Sequence, residues 1–277
     1  MRLASVQGRA TLLVDEQLVD VERASGGALS SDPMDHFGEL EALSALLDAE
    51  DSQPAAAVVF DAPVPRPPKV IAIGLNYRKH AIESNMPIPD EPVVFARFSN
   101  ALCGPTDEIV IPAGCDQVDW EAELVIVMGR GGGGIAAADA WPRVAGLTCG
   151  QDVSDRREQM RGMKQFTVAK SYDTFAPIGP HVVSVDEFAN PDDLEISCSV
   201  DGERVQNSRT GDLIFSVPEL VEWVSRHITL EPGDLIFTGT PEGVGMGQDP
   251  PRYLCGGMVV ETTIEGIGSM RNVCVDG

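Results

Sequence analysis

The segment Val118-Asp-Trp-Glu-Ala-Glu-Leu-Val-Ile-Val-Met128 constrains the fold more than any other part of the chain. It reads as a strand, and side chains on a strand alternate between faces. Glu121 and Glu123 then point the same way as Val125 and Val127. Trp120, Ala122, Leu124, Ile126 and Met128 point the other way. Two carboxylates so close together, leading into a strand apolar on both faces, oppose each other's ionisation and resist burial. A divalent cation removes that penalty, because hard cations take carboxylate oxygens directly. The competing reading is an acidic solvent face on a half-exposed strand.

The chain has 277 residues, enough for one large domain, or one domain with a small appendage. No apolar run approaches the roughly 20 residues of a membrane-spanning helix. The N-terminus turns polar too early for a secretory signal, so a cytoplasmic location is expected. A formal net charge of −23 argues against nucleic acid and anionic membranes as partners. If the substrate is itself an acid, local cations or a metal must overcome that field. The six cysteines form no Cys-x-x-Cys, which speaks against a zinc ribbon or a thioredoxin-type site. Four histidines leave little room for a His-rich metal site.

Residues 3–21 read as a hairpin. Asp32-Pro33-Met34-Asp35 looks like a helix start, with leucines following at helical spacing. The run Pro63-Val-Pro-Arg-Pro-Pro-Lys69 fits neither helix nor central strand and reads as a linker. This places a small N-terminal domain at 1–68 and the main domain at 69–277. Short apolar runs separated by Gly, Pro and Asp then predict strands near 69–74, 93–98, 108–111, 121–128, 181–184, 194–200, 234–240, 257–264 and 268–275. Short helices are expected near 77–85, 154–163 and 217–227. The class is α+β and strand-rich.

Two apparent motifs fail. Gly146-Leu-Thr-Cys-Gly150 has the spacing of a nucleophile elbow but carries Thr148 at its centre. Gly243-Val-Gly-Met-Gly247 lacks the dinucleotide spacing, and Pro250-Pro251 prevents a following helix.

Four others hold. His80 and Glu83, three apart on a short helix, face the same side; a carboxylate beside an imidazole makes a general base, or else an ordinary surface pair. Asp152 stands where a strand hands over to a helix, as a ligand or as an N-cap. Arg156 and Gln159 on that helix share a face and could grip a carboxylate. Lys170, among small and aromatic residues, needs an acidic partner or an anionic ligand. Thr240 lies in a Gly/Thr loop, Thr238-Gly-Thr-Pro-Glu-Gly-Val-Gly245, whose backbone can approach a ligand closely.

Seven segments, in order over about 69–277, carry a resemblance. They are Ile73-Gly-Leu-Asn-Tyr-Arg-Lys-His-Ala-Ile-Glu83, Gly104-Pro-Thr-Asp-Glu-Ile, Asp119-Trp-Glu-Ala-Glu-Leu, Asp152-Val-Ser, Lys170-Ser-Tyr-Asp-Thr-Phe-Ala-Pro-Ile-Gly-Pro180, the loop from Thr238, and Glu265-Gly-Ile-Gly-Ser-Met-Arg-Asn. Together the chain resembles the short bacterial branch of the fumarylacetoacetate hydrolase family. The resemblance implies a mixed β-sandwich roll and a homodimer. It implies Glu121, Glu123 and Asp152 as ligands of Mg²⁺ or Mn²⁺, His80 with Glu83 as an acid–base dyad, and Lys170 as an active-site lysine. Arg156, Gln159 and Thr240 become substrate contacts. The chain departs from many members at Asp155, Arg157 and Glu158, which add charge beside Arg156 and leave substrate choice open.

The expected activity is metal-dependent cleavage of a C–C bond in a small 2-oxo acid of acylpyruvate type, through an enolate. Oxaloacetate decarboxylation and isomerisation of 2-hydroxyhepta-2,4-diene-1,7-dioate are alternatives on the same site. A non-catalytic, metal-stabilised binding protein is the alternative of another class.

Overall fold

A strand apolar on both faces must lie inside a sheet that is covered on both sides. Such a strand, Ala122–Met128, runs through the middle of the computed structural model, with all seven residues buried. The structure describes residues 1–49 and 52–277.

The chain opens with β1 (Arg2–Val6), β2 (Arg9–Val14) and β3 (Gln17–Asp20), then helix α1 (Val21–Ala24) and the short β4 (Gln53–Pro54). Next come β5 (Val70–Gly74), α2 (Arg78–Glu83), β6 (Val93–Arg97), β7 (Leu102–Cys103) and β8 (Ile109–Ile111). The centre holds β9 (Val118–Asp119), β10 (Ala122–Met128), β11 (Val144–Gln151) and β12 (Ser154–Asp155). Helices α3 (Arg156–Gln159) and α4 (Phe166–Ala169) precede β13 (Ala176–Val183). The chain ends with β14 (Glu195–Val200), β15 (Glu203–Arg209), α5 (Val217–His227), β16 (Leu235–Phe237), β17 (Val259–Ile264) and β18 (Gly268–Asp276).

The larger sheet runs β4-β3-β2-β1-β13-β11-β10-β16-β5-β6, with β7 beside β13; the smaller runs β15-β14-β17-β18-β8. Most pairs are antiparallel, but β16 lies parallel to β5, β18 to β8 and β13 to β7. Leu124, Ile126 and Met128 of β10 pack with Ile196, Cys198 and Val260 of the smaller sheet and with Leu220 and Val224 of α5. On the opposite face Val125 and Val127 join Phe237, Val70, Leu12 and Phe37 in a second core. The alternation read from the sequence therefore sorts β10 between two cores. The architecture is the expected mixed β-sandwich roll.

Residues 1–68 add strands to this same sheet, with Leu3 opposite Val182 of β13. Asp32 caps a 3-10 turn at Pro33–Asp35, as its sequence suggests. Pro63–Lys69 carries no helix or strand. None of the helices among the described residues is long and apolar enough to cross a membrane.

Several local expectations need correction. The strand near 118–128 is broken at Trp120-Glu121, between β9 and β10. The helix near 154–163 shrinks to α3, because Gly162 turns the chain at φ +61°. The strand near 181–184 begins already at Ala176; its prolines look like breakers, but the register against β11 is irregular there and accommodates them. The strand near 234–240 ends at Phe237, where side-chain bonds take over: Thr238 Oγ1 donates to the Leu124 carbonyl at 2.9 Å.

Strands β11 and β15 are absent from the expected set. β15 is a polar outer strand with little apolar signal. β11 hides behind two glycines that packing requires. A Cβ on Gly150 would lie 2.5 Å from Val125 Cγ2, and one on Gly146 2.3 Å from the Val183 carbonyl oxygen. Thr148, the centre of the false elbow, is buried within β11, where no nucleophile could meet a substrate.

Candidate active site

The register of β10 against β11 sets Ala122 opposite Gln151 and Glu123 opposite Gly150. Asp152, the next residue after β11, thus arrives beside Glu121, and its N–H donates to the Glu121 carbonyl at 2.9 Å. The Glu121 N–H in turn donates to Gln151 Oε1 at 2.9 Å. Glu121, Glu123 and Asp152 are all buried, and each offers an oxygen within 4.8 Å of the other two. Oxygens bound to one Mg²⁺ or Mn²⁺ at about 2.1 Å are at most about 4.2 Å apart. Neighbouring positions on an octahedral ion are about 3.0 Å apart, a spacing that three clustered carboxylates can reach by side-chain rotation. An oxygen-only donor set is also the chemistry these hard cations prefer.

Three cations are buried against these acids. Lys170 Nζ donates to Glu121 at 2.7 Å and to Asp152 at 2.6 Å. Arg97 pairs with the other Asp152 oxygen and also donates to the Phe175 carbonyl at 2.8 Å. Arg156 Nη1 lies 2.6 Å from Glu121 Oε1, and its Nε donates to Asp119 at 2.8 Å. With Asp119 included, four carboxylates face three cations, and Glu123 forms no ion pair among the described residues. Its carboxylate accepts from the Gly239 N–H at 2.8 Å.

Electrostatics follow this imbalance. Burial, and then the charge of Glu121, push Glu123 up to about 8. Burial acts on Glu121 in the same direction, but Lys170 and Arg156 outweigh it and hold that group at about 2. Burial lowers Lys170 to about 8 despite the opposing pull of Glu121. At neutral pH one proton therefore sits where a cation would neutralise the cluster.

The structure brings His80 Nδ1 within 2.9 Å of Glu83 Oε2, on α2. The other Glu83 oxygen accepts from the Gly243 N–H at 2.8 Å, so the pair is docked on the glycine loop. Gln159 Oε1 accepts from Arg156 Nη1 at 2.9 Å, on the expected shared face. The hydroxyl of Thr240 donates to the Ala122 carbonyl and accepts from Gln206 Nε2, both at 2.9 Å. Asp152 is not an N-cap. That place belongs to Asp155, which accepts from the N–H groups of Arg157 and Glu158. Arg157 pairs with Asp116 at the surface, and Glu158 with Arg161 at 3.2 Å. The three added charges are thus engaged in a cap and two surface pairs.

Two buried residues escaped the sequence reading. Arg97 ends the apolar strand β6, where an arginine next to Phe95 and Phe98 was the available signal. Asp119 immediately precedes the Trp-Glu-Ala-Glu run, and its partners at 156, 245 and 246 are far away in sequence.

Ion binding at this site should depend on pH. Glu123 must lose its proton to become a ligand, and its pKa is raised, so binding weakens as pH falls below about 8. Calorimetry with Mn²⁺ in buffers of different ionisation enthalpy should show proton release at pH 7. The dissociation constant should rise roughly tenfold per unit between pH 8 and 6, the slope of one linked proton. A constant affinity over that range would contradict the assignment of Glu123.

Residues 69–275 match the fumarylacetoacetate (FAA) hydrolase C-terminal domain family. The mitochondrial oxaloacetate tautomerase FAHD2B of Bos taurus is 46% identical over 223 residues, covering 80% of this chain and 71% of that protein. Among solved structures, the maleylpyruvate hydrolase of Sphingobium sp. SYK-6, in complex with manganese(II) and pyruvate, is 31% identical with a TM-score of 0.84 over all of both chains. The 2-hydroxyhepta-2,4-diene-1,7-dioate isomerase of Mycobacterium marinum is 33% identical with a TM-score of 0.79, covering 100% of this chain and 98% of that one. Fold, buried acidic cluster and sequence relationship agree: this chain belongs to the fumarylacetoacetate hydrolase family.

Proposed function

We propose that this protein is a Mg²⁺- or Mn²⁺-dependent enzyme that moves a proton on the enol form of a small 2-oxo acid. Keto–enol tautomerisation of an oxaloacetate-like acid is the first reading, and C–C hydrolysis of an acylpyruvate-like acid is the second. The His80–Glu83 pair, near enough to the acidic cluster for His80 to act electrostatically on Glu121, carries it. A carboxylate accepts only, so the proton between them belongs to Nδ1. That leaves Nε2 of His80 to take or return a proton at the carbon next to the keto group.

When bound, the divalent ion supplies Lewis-acid polarisation of the 2-keto group. Lys170 places a second positive charge beside the same oxygens and favours negative charge developing there. Arg156 Nη2 is buried with no hydrogen-bond partner among the described residues, which suits a donor for the substrate carboxylate. Charge balance supports a 2-oxo acid. Four acids, three cations and a divalent ion leave one positive charge for the carboxylate beside the keto group.

Similarity supports the ranking. The bovine relative is named as an oxaloacetate tautomerase, and the more distant solved structure as a maleylpyruvate hydrolase. In the hydrolytic reading the same dyad activates water against the distal acyl carbonyl. Decarboxylation of oxaloacetate needs mainly an electron sink, so it leans less on His80.

His80→Ala should lower tautomerisation and acylpyruvate hydrolysis by about 10²–10⁴-fold, the size of a general acid–base contribution. Decarboxylation should fall much less, and chelation should abolish all three. Ultraviolet assays of oxaloacetate, acylpyruvates and 2-hydroxydienedioates with Mn²⁺ and with chelator read this directly. Near-wild-type turnover of every substrate by the variant would remove the dyad from the mechanism.

The reading includes a homodimer. Of the eleven large apolar side chains standing exposed among the described residues, eight lie on 82–98 and 160–168. These two segments meet where Phe95 packs on Phe166 at 5.6 Å. So concentrated an apolar surface on a chain of charge −23 suits an isologous contact between two copies. Sedimentation equilibrium should give the mass of two chains, and Phe98→Glu with Met163→Glu should give one. A monomeric wild type would overturn this point.

A further inference from the structure

The carboxylate of Asp119 reaches four groups that no other residue brings together. Oδ1 accepts from the N–H groups of Trp120 at 2.8 Å and Gly245 at 2.6 Å. Oδ2 accepts from the Met246 N–H at 3.0 Å and from Arg156 Nε at 2.8 Å. The side chain is wholly buried, so each of these bonds forms without competing water. Asp119 therefore grips the glycine loop with both oxygens and the site arginine with one of them.

The loop it holds is the seat of the dyad. Gly243 donates its N–H to Glu83 at 2.8 Å, and its carbonyl accepts from Trp120 Nε1 at 3.0 Å. At its other end the loop is fastened to β10 by Thr238, Gly239 and Thr240. The loop also lies close against neighbouring backbone. A Cβ on Gly245 would lie 2.0 Å from the Arg252 carbonyl oxygen and 2.7 Å from Asp119, and one on Gly243 2.0 Å from the Val205 carbonyl oxygen. A path of hydrogen bonds thus runs from Arg156 through Asp119 and residues 243–246 to Glu83 and His80.

We infer that Asp119 is a positioning residue that sets the His80–Glu83 pair, through the 243–246 loop, relative to Arg156 and the acidic cluster. The inference rests on the acid–base role proposed for that pair. It adds a residue that touches neither substrate nor ion. Asp119→Asn keeps the volume but turns one acceptor oxygen into a donor facing either N–H groups or Arg156.

The test uses the full chain, with and without Mn²⁺. Asp119→Asn should lower kcat for proton transfer by about 10–100-fold, the usual effect of misplacing a catalytic group by about an ångström. This kcat is read at saturating Mn²⁺, because removing one of the four buried negative charges, the partner of Arg156, also weakens attraction for the ion. Amide exchange over residues 78–85 should rise in both ion states, since α2 loses its seat. In a Glu83→Gln background the further loss from Asp119→Asn should shrink below about threefold, the signature of two residues acting as one unit.

Losses that multiply independently, or unchanged exchange over 78–85, would overturn the inference. If Asp119→Asn does not fold, Met246→Pro serves. It removes one loop N–H, at the second residue of the 3-10 turn Gly245–Gly247, loosens the loop at Gly245 as well, and retains both Asp119 and Arg156. It should raise the same exchange, and unchanged exchange would again be decisive. If Glu83→Gln alone leaves turnover at the wild-type level, the acid–base reading fails. The exchange result then decides the positioning role by itself.

Discussion

One excess negative charge, buried between two cores, organises this protein. Asp119, Glu121, Glu123 and Asp152 face Arg97, Arg156 and Lys170, all of them buried. Three acids share the three cations, and Glu123 has only a backbone N–H. Burying an unpaired carboxylate in that setting is costly, so it keeps its proton until another cation arrives. The apolar strand β10, sealed on both faces, makes the penalty severe. The same strand, paired with β11, brings Glu121, Glu123 and Asp152 together.

That arrangement favours electrophilic chemistry on a chelating acid but does not choose among its products. An enol can gain a proton, accept one at another carbon, or form when a C–C bond breaks. Family relatives named as tautomerase, isomerase and hydrolase span these outcomes. On the proposed reading, what separates them is how a base or a water is placed against the substrate; the His80–Glu83 pair bonds to a glycine loop that Asp119 also holds.

Much of this was legible in local sequence. Period-two alternation sorted β10 onto its two cores, because that signal acts within a few residues, and the helix expected near 217–227 is α5. The acidic cluster, His80, Glu83 and Lys170 were visible once the seven motifs were read together. Other features depend on distant packing. β11 is a strand despite two glycines, because Val125, Phe237 and Val183 crowd it. Asp155 takes the cap that is one of two readings for Asp152, because Arg97 and Lys170 draw Asp152 inward. Arg97 and Asp119 look ordinary in sequence, since the ion-pair and loop partners that place them at the site lie tens of residues away.

The central claim is that Glu121, Glu123 and Asp152 share one divalent cation. Crystals soaked in Mn²⁺ and measured at the manganese absorption edge test it most directly. The account predicts a single strong anomalous peak within about 2.3 Å of one oxygen from each of the three residues, with the Lys170 amine displaced from between Glu121 and Asp152. An anomalous map with no peak there, at Mn²⁺ concentrations that saturate activity, would contradict it.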